Sequence, residues 1–371
     1  MRLATRQPLA AVHCLLPTAY YPMTISDLEF YLIEIACDGR EGPLRSLLVR
    51  LSTDAGLEGW GETQLGWRAS ELVPRRDVLL PVLAGRSVFD VEELLEMEAL
   101  ESAPLRSALE MASWDLVGRA AGEPLCHLWG GAYRQHIPVA VRLAAPLGAG
   151  CATLARELAE QGFHWQILNS CGEPKRDLET LEAVGQAAGD RIELRFDAAA
   201  SYDMETAREL VAELEGNALQ FMLDPLRTGD LDEIAALRRQ TSVPLAVWRS
   251  IRGPADVLAL VRSGAAPFVV VDIGLVGGIA RARECAAIAR AGGVSASLGG
   301  GSSAGIAVAA MLQLAAGTPV FSSCNECGYP QRQDDVLTQP LEILDGMITV
   351  PQAPGLGVTV DRAKVEQYQV S

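Results

Sequence analysis

The chain has 371 residues, 47 of them acidic and 31 basic, for a net charge of −16 and an apolar content of 49%. That length exceeds one small domain and suits a large barrel plus an appendage, with enough apolar side chains for a continuous core. The acidic balance, without any basic cluster, excludes nucleic acid and anionic membrane surfaces as partners, and no apolar run approaches the ~20 residues that span a bilayer.

The opening residues Met1–Arg6 lack the apolar stretch and cleavage pattern of a signal peptide, so a cytoplasmic location is expected. Residues 26–62 alternate strand-like runs with turns. Leu28–Ile35, Ser46–Leu51 and Gly56–Glu62 read as a small antiparallel sheet. Residues 86–121 change to helical spacing, ending in Leu105–Ala121, and Gly122 with Pro124 stops that helix.

From Ile137 onward the pattern becomes βα units of regular length, the signature of a parallel barrel. Strands are expected at Pro138–Leu143, Phe163–Leu168, Ile192–Asp197 and Leu219–Asp224. Four more are expected at Pro244–Trp248, Phe268–Ile273, Val294–Leu298 and Val320–Ser323. The tail from Asp345 returns to short strand-and-turn chemistry.

Eight cysteines are scattered through a long chain, which suits free buried thiols better than a disulfide framework. Cys324 and Cys327 have CxxC spacing, but with no second pair and no nearby histidine they lack the four ligands of a zinc site. Lysine occurs only at Lys175 and Lys364, and histidine only at His13, His127, His136 and His164.

Three stretches each end an apolar run and open a loop: Arg195–Ala199, Met222–Pro225 and Ala246–Ser250. With the helix Arg106–Leu116, the segment Pro124–Gly131, Val276–Ile279 and Pro354–Gly357, they resemble the enolase superfamily in its mandelate racemase and muconate-lactonising branch. The resemblance covers nearly the whole chain. It implies an α/β protein, a modified (β/α)7β TIM barrel with an N-terminal α+β capping domain. The capping domain would occupy residues 1–132, with the tail from about 345 to 371 returning to it, and the barrel residues 133–344. It further implies a homo-oligomer acting on a small carboxylate or other organic anion, as isomerases, cycloisomerases and dehydratases do.

The family cofactor is Mg²⁺, which three strand ends hold with one carboxylate each. Here Asp197 matches the first ligand position, while Leu223 and Arg249 occupy the other two. A hard dication needs oxygen ligands in near-octahedral geometry, so no metal ligand set is expected and no cofactor is assigned. Asp224 could come beside Asp197 through a local twist, but Arg249 alongside would repel a cation. The family's bases are missing too. The second strand usually carries Lys-x-Lys, and one register puts Ile167 and Asn169 there, the other Leu168 and Ser170. Asp272 matches the sixth-strand aspartate of an Asp–His dyad, but the seventh strand offers Leu298 and Gly299 where its histidine would stand.

The candidate catalytic residues are therefore Asp197, Arg249 and Asp272. Arg249 puts a guanidinium where the metal's charge would be, and it could hold Asp197 and Asp272 or clamp a substrate carboxylate. Arg142, Asn169, Asp224, Asn325 and Glu326 are candidate substrate-binding residues at strand ends. Gly299, Gly300, Gly301 and Ser302 open the seventh helix, whose free N–H groups would form an anion site. By resemblance, Pro17–Pro22 and Gly61–Trp67 correspond to two capping loops that decide specificity. Two functions stay open: an enzyme whose metal-dependent proton-abstraction machinery is altered or lost, and a non-catalytic protein that keeps the barrel pocket for a small anion.

Overall fold

The structure, a computed structural model, describes residues 23–370 except 39–41, 98–99, 101, 217–218, 301–302 and 323. Gly301, Ser302 and the Pro17–Pro22 segment therefore lie outside the described residues.

Strands β1 (Ile25–Ile35), β2 (Leu44–Thr53) and β3 (Glu58–Thr63) form an antiparallel sheet in that order. Alternation along β1 sends Leu28, Phe30 and Leu32 into a core closed by Leu105, Leu109, Ala112 and Leu116 of helix Ala103–Ala121. Two glycines set that contact. A Cβ on Gly61 would fall 1.8 Å from the Ala108 carbonyl oxygen, and one on Gly59 2.2 Å from that of Ala112. Any larger residue would lift the helix off the sheet.

Among the described residues, the helical spacing from residue 86 is realised in Val91–Leu95 and Ala103–Ala121, with Pro104 in the second helix's first turn. Helix Ala69–Leu83 was hidden in the sequence by Pro74 and Pro81.

The barrel consists of β4 (His136–Arg142), β5 (Trp165–Asn169), β6 (Glu193–Asp197), β7 (Leu219–Leu223), β8 (Leu245–Val247), β9 (Phe268–Asp272) and β10 (Ser295–Gly299), paired in sequence order. It closes through β11 (Asn325–Glu326), which pairs parallel with β4, while the Leu298 N–H donates to the Asn325 side chain across the remaining seam at 2.8 Å. The eighth strand thus begins later than Val320–Ser323. The Arg134 guanidinium takes the Phe321 and Ser322 carbonyls, which withdraws that segment from the ladder. Inward side chains fill the barrel in two clusters. Phe221, Leu223, Ala246 and Val270 form one; Ala140, Ile167 and Cys324 form the other.

The tail first makes a hairpin, β12 (Ile343–Leu344) and β13 (Met347–Thr349), with β13 antiparallel to β4. From Gly355 onward it lies against the N-terminal part of the chain: the Leu356 N–H donates to Asp115 at 2.9 Å, and the Val370 N–H donates to Leu32 O of β1 at 2.7 Å. Among the described residues no helix is long and apolar enough to cross a membrane.

Candidate functional site at the barrel mouth

Between the capping sheet and the C-terminal ends of the barrel strands lies a cavity of about 530 Å³. Arg142, Asn169, Trp248, Arg249, Asp272, Gly299, Gly300 and Glu326 line it on the barrel side. Thr63 and Gln64 line it from the second capping loop.

Asp197 ends β6 with its side chain 1% exposed. Its two oxygens accept from Nη1 and Nη2 of Arg249, both at 2.9 Å, in a bidentate fork. Oδ2 also accepts from Arg142 Nη1 at 3.1 Å, and Oδ1 from the Ala199 N–H at 2.9 Å. Asp224 supplies the second carboxylate, taking Arg249 Nη1 on Oδ2 at 2.8 Å. It accepts as well from the backbone N–H of Trp248 and Arg249, at 2.8 and 3.0 Å, which fixes the turn that launches the guanidinium. The twist that brings Asp224 beside Asp197 is a left-handed backbone at Asp224, φ 44°. Ala199 and Ala200 share that conformation, at φ 53° and 56°, so strain is concentrated at this rim.

Arg249 therefore holds Asp197 and Asp224. The expected partner Asp272 is engaged elsewhere: its Oδ1 caps the short helix Ile273–Val276, accepting from the N–H groups of Gly274 at 2.8 Å and Leu275 at 3.2 Å. Arg142 completes the network, donating from Nε to Glu326 at 2.7 Å and from Nη1 to the Asn169 side-chain oxygen.

The environments pull these acids apart. Burial pushes the Asp197 carboxyl up, but Arg249 and Arg142 overcome it and hold it below the usual carboxylate range. Burial dominates at Asp224 and at Asp272 and raises both. Arg249, despite partial burial, is held even more firmly protonated by its two carboxylates.

Several sequence expectations need correction. Asn325 is fully buried in the seam between β10 and β11 and does not reach the cavity, because its side chain replaces a missing ladder bond. The N-terminus of helix Gly305–Gly317 is not a free anion site. Glu62 accepts from Ala304 and Ala307, and Asp335 from Gly305, so the chain's own carboxylates take those donors. Gly299 and Gly300 still line the cavity. The β5 register follows from burial: Ile167 points into the barrel and Asn169 into the cavity. Ser170 instead bonds Asp177 and Tyr202. His164 is exposed at the opposite strand end, on the Arg191 carbonyl at 2.9 Å. Glu62 and Trp248 lay in stretches the sequence marked, yet no motif singled them out.

The residues present do not fit Mg²⁺. Arg249 Nη1 sits 2.9 Å from Asp197 and 2.8 Å from Asp224, between the two oxygens a bridging cation would need. On β7 the neighbour of Asp197 in the ladder is Leu223, 3% exposed and packed with Phe221, Ala246 and Val270. Among the described residues, no three His, Cys, Asp or Glu side chains converge in a way that could hold a metal ion.

Comparison with known proteins agrees with this architecture. Residues 32–130 match the mandelate racemase/muconate lactonizing enzyme N-terminal domain, and residues 150–364 the enolase C-terminal domain-like family. Muconate cycloisomerase 1 of Rhodococcus opacus is 27% identical, over 87% of this chain and 90% of its own. The o-succinylbenzoate synthase of Geobacillus kaustophilus is 28% identical, over 93% and 90%. The crystal structure of an isomerase from Streptomyces coelicolor superposes with a TM-score of 0.83 at 27% identity, covering 93% of this chain and 97% of that one. With both family domains in order along it, the chain belongs to the enolase superfamily, in its mandelate racemase and muconate-lactonising branch.

Proposed function

We propose that this relative of cycloisomerases and dehydratases binds a small organic carboxylate in the cavity at the barrel mouth, with Arg249 standing where its family places a metal ion. The observation that carries the reading is the guanidinium clamped between Asp197 and Asp224 while still lining the cavity. Its bonds to those two carboxylates engage three of the five N–H donors of a guanidinium. The remainder can donate to a ligand carboxylate. Two flanking carboxylates offset the cation's charge, so the attraction is that of directed hydrogen bonds more than of a bare ion.

Metal-assisted removal of a proton next to a carboxylate is not the chemistry these residues support. That step needs a Lewis acid to stabilise an enediolate and a base of suitable pKa, and Leu223, Arg249 and Asn169 stand where ligands and lysine would be. Asp272 is a cavity acid placed to move a proton. One of its oxygens is pinned by two N–H groups, and burial raises its pKa. A second reading, binding without turnover, is favoured by Leu223, which removes polarity from the mouth without adding a reactive group.

Incubation in D₂O with hydroxy acids, amino-acid derivatives and sugar acids separates these readings from ordinary family chemistry. No enzyme-dependent exchange of the α-proton is expected, together with saturable binding of at least one small carboxylate in EDTA. Rapid exchange, or binding that appears only with added Mg²⁺, would overturn the proposal.

A further inference from the structure

We propose that Arg106 and Arg281 form an oxyanion site where the capping domain meets the barrel, and that it takes a phosphate group, free or carried on a small organic ester. Its centre is the turn at Gly277, which joins the short helix Ile273–Val276 to helix Ile279–Ala291 with a left-handed backbone, φ 89°. Arg106 reaches that turn from helix Ala103–Ala121, and Arg281 from the first turn of helix Ile279–Ala291. A Cβ built on Gly277 would have three nearest neighbours beyond the adjoining residues. They are the Ala103 Cβ and Arg106 Nη1, both at 3.5 Å, and Arg281 Nη1 at 3.6 Å. The two guanidinium groups thus converge on one point, over a residue without a side chain, and the oxygens of a single phosphate can reach both.

The charges around that point favour an anion. Burial and the Arg281 charge both lower the Arg106 pKa, and against them Glu96, which is exposed, pulls it up. The chain carries a net charge of −16, yet among the described residues neither guanidinium forms an ion pair with a carboxylate. Arg106 donates from Nη2 to the Leu100 carbonyl at 2.6 Å, which holds it in place, while its Nε is buried without a partner. The Glu110 carboxylate beside Gly278 is taken up by the N–H groups of Ile279 and Ala280 and by the Trp114 indole at 3.1 Å. Two like charges held together at a partly buried seam repel until a counter-ion joins them, and a planar guanidinium suits phosphate oxygens. Two cations also match the nearly double charge of a phosphate group at neutral pH. None of Arg106, Gly277 and Arg281 lines the barrel-mouth cavity, but Pro104, Ser107 and Leu275 close by do. A bound phosphate would therefore tie the two domains together just behind the cavity wall.

Calorimetric titration of the full chain with inorganic phosphate tests this, at constant ionic strength with chloride as the balancing salt. Glycerol 3-phosphate serves as the ester. Wild type should bind saturably, and Arg249→Ala equally well. Arg281→Gln and Arg106→Gln should each weaken binding at least ~10-fold, since each removes a charge-assisted partner. Arg281→Lys should fall between wild type and Arg281→Gln, because it keeps the charge without the planar fork. Tighter binding of the ester identifies an organic phosphate as the source, and tighter binding of the inorganic ion identifies free phosphate; either upholds the site. The inference is overturned if neither probe binds saturably, or if binding survives Arg281→Gln. Loss of binding in Arg249→Ala overturns it too, because the ion would then sit at the barrel mouth.

Discussion

Arg249→Ala is the perturbation the network makes quantitative. It removes three hydrogen bonds, two to Asp197 and one to Asp224. Breaking a buried ion pair costs ~3–5 kcal/mol, because it strands a charge out of water. Two features reduce that here. The Arg249 side chain is 36% exposed, so solvent already screens it. Each carboxylate also keeps partners: Asp197 retains Arg142 and the Ala199 N–H, and Asp224 retains the backbone N–H groups of residues 248 and 249. The expected loss at neutral pH is about 2–3 kcal/mol, a fall of a few degrees in Tm. Arg249→Lys should recover only part, since an ammonium cannot fork across both Asp197 oxygens.

The pH dependence identifies the source of that loss. Asp197 has a depressed folded pKa, so its stabilisation is present above the unfolded carboxylate value and disappears as pH falls through the folded one. Asp224 has a raised folded pKa that Arg249 pulls down, so in the variant it rises further and takes up a proton sooner on acidification. The gap between wild type and variant should therefore begin to narrow above the usual carboxylate range. It should close once the pH drops below the folded value of Asp197. Thermal melts of both proteins across a pH series read this directly. A gap that stays constant with pH, or one under ~0.5 kcal/mol at pH 7, which is the range of a neutral surface change, would refute the clamp.

Two predictions concern Gly278 and Glu110. Glu110 reaches from helix Ala103–Ala121 to cap helix Ile279–Ala291, accepting from the N–H groups of Ile279 and of Ala280 at 2.8 Å. A Cβ on Gly278 would sit 1.6 Å from the Glu110 carboxylate, at φ +135°. Gly278→Ala should therefore cost ~3 kcal/mol or more, because it expels the cap and strands buried donors; urea unfolding measures it. Burial pushes the Glu110 carboxyl up to about 7, so ionising it weakens the native state progressively as pH rises from the unfolded value toward 7. Glu110→Gln should flatten the stability profile between about pH 5 and pH 7, and an unchanged slope would exclude Glu110 as its source.

Much of this was legible in the chain itself. Period-2 alternation marked β1 to β3, and regular apolar runs marked the barrel strands from β4 to β10, because a buried parallel strand can hardly be written another way. The eighth strand was misplaced because Val320 and Phe321 read as strand by composition, while Arg134, nearly two hundred residues earlier, claims the local carbonyls. The same limit applied to the site. Asp197, Arg249 and Asp272 could be located from their strand ends, but which carboxylate Arg249 would choose depended on the left-handed backbone at Asp224. Local propensity disfavours that conformation, and only the assembled rim imposes it. The free helix N-terminus was a sound local inference, defeated by Glu62 arriving from the other domain.

The central claim is that a guanidinium occupies the place of the metal. Calorimetric titration of the wild-type chain with Mg²⁺ and with Mn²⁺ tests it most directly, with Leu223→Glu/Arg249→Glu alongside. The wild type should show no saturable site at millimolar metal, whereas the double variant, with carboxylates at the ends of β6, β7 and β8, should gain one. A saturable wild-type site that vanishes in Asp197→Asn would contradict the account.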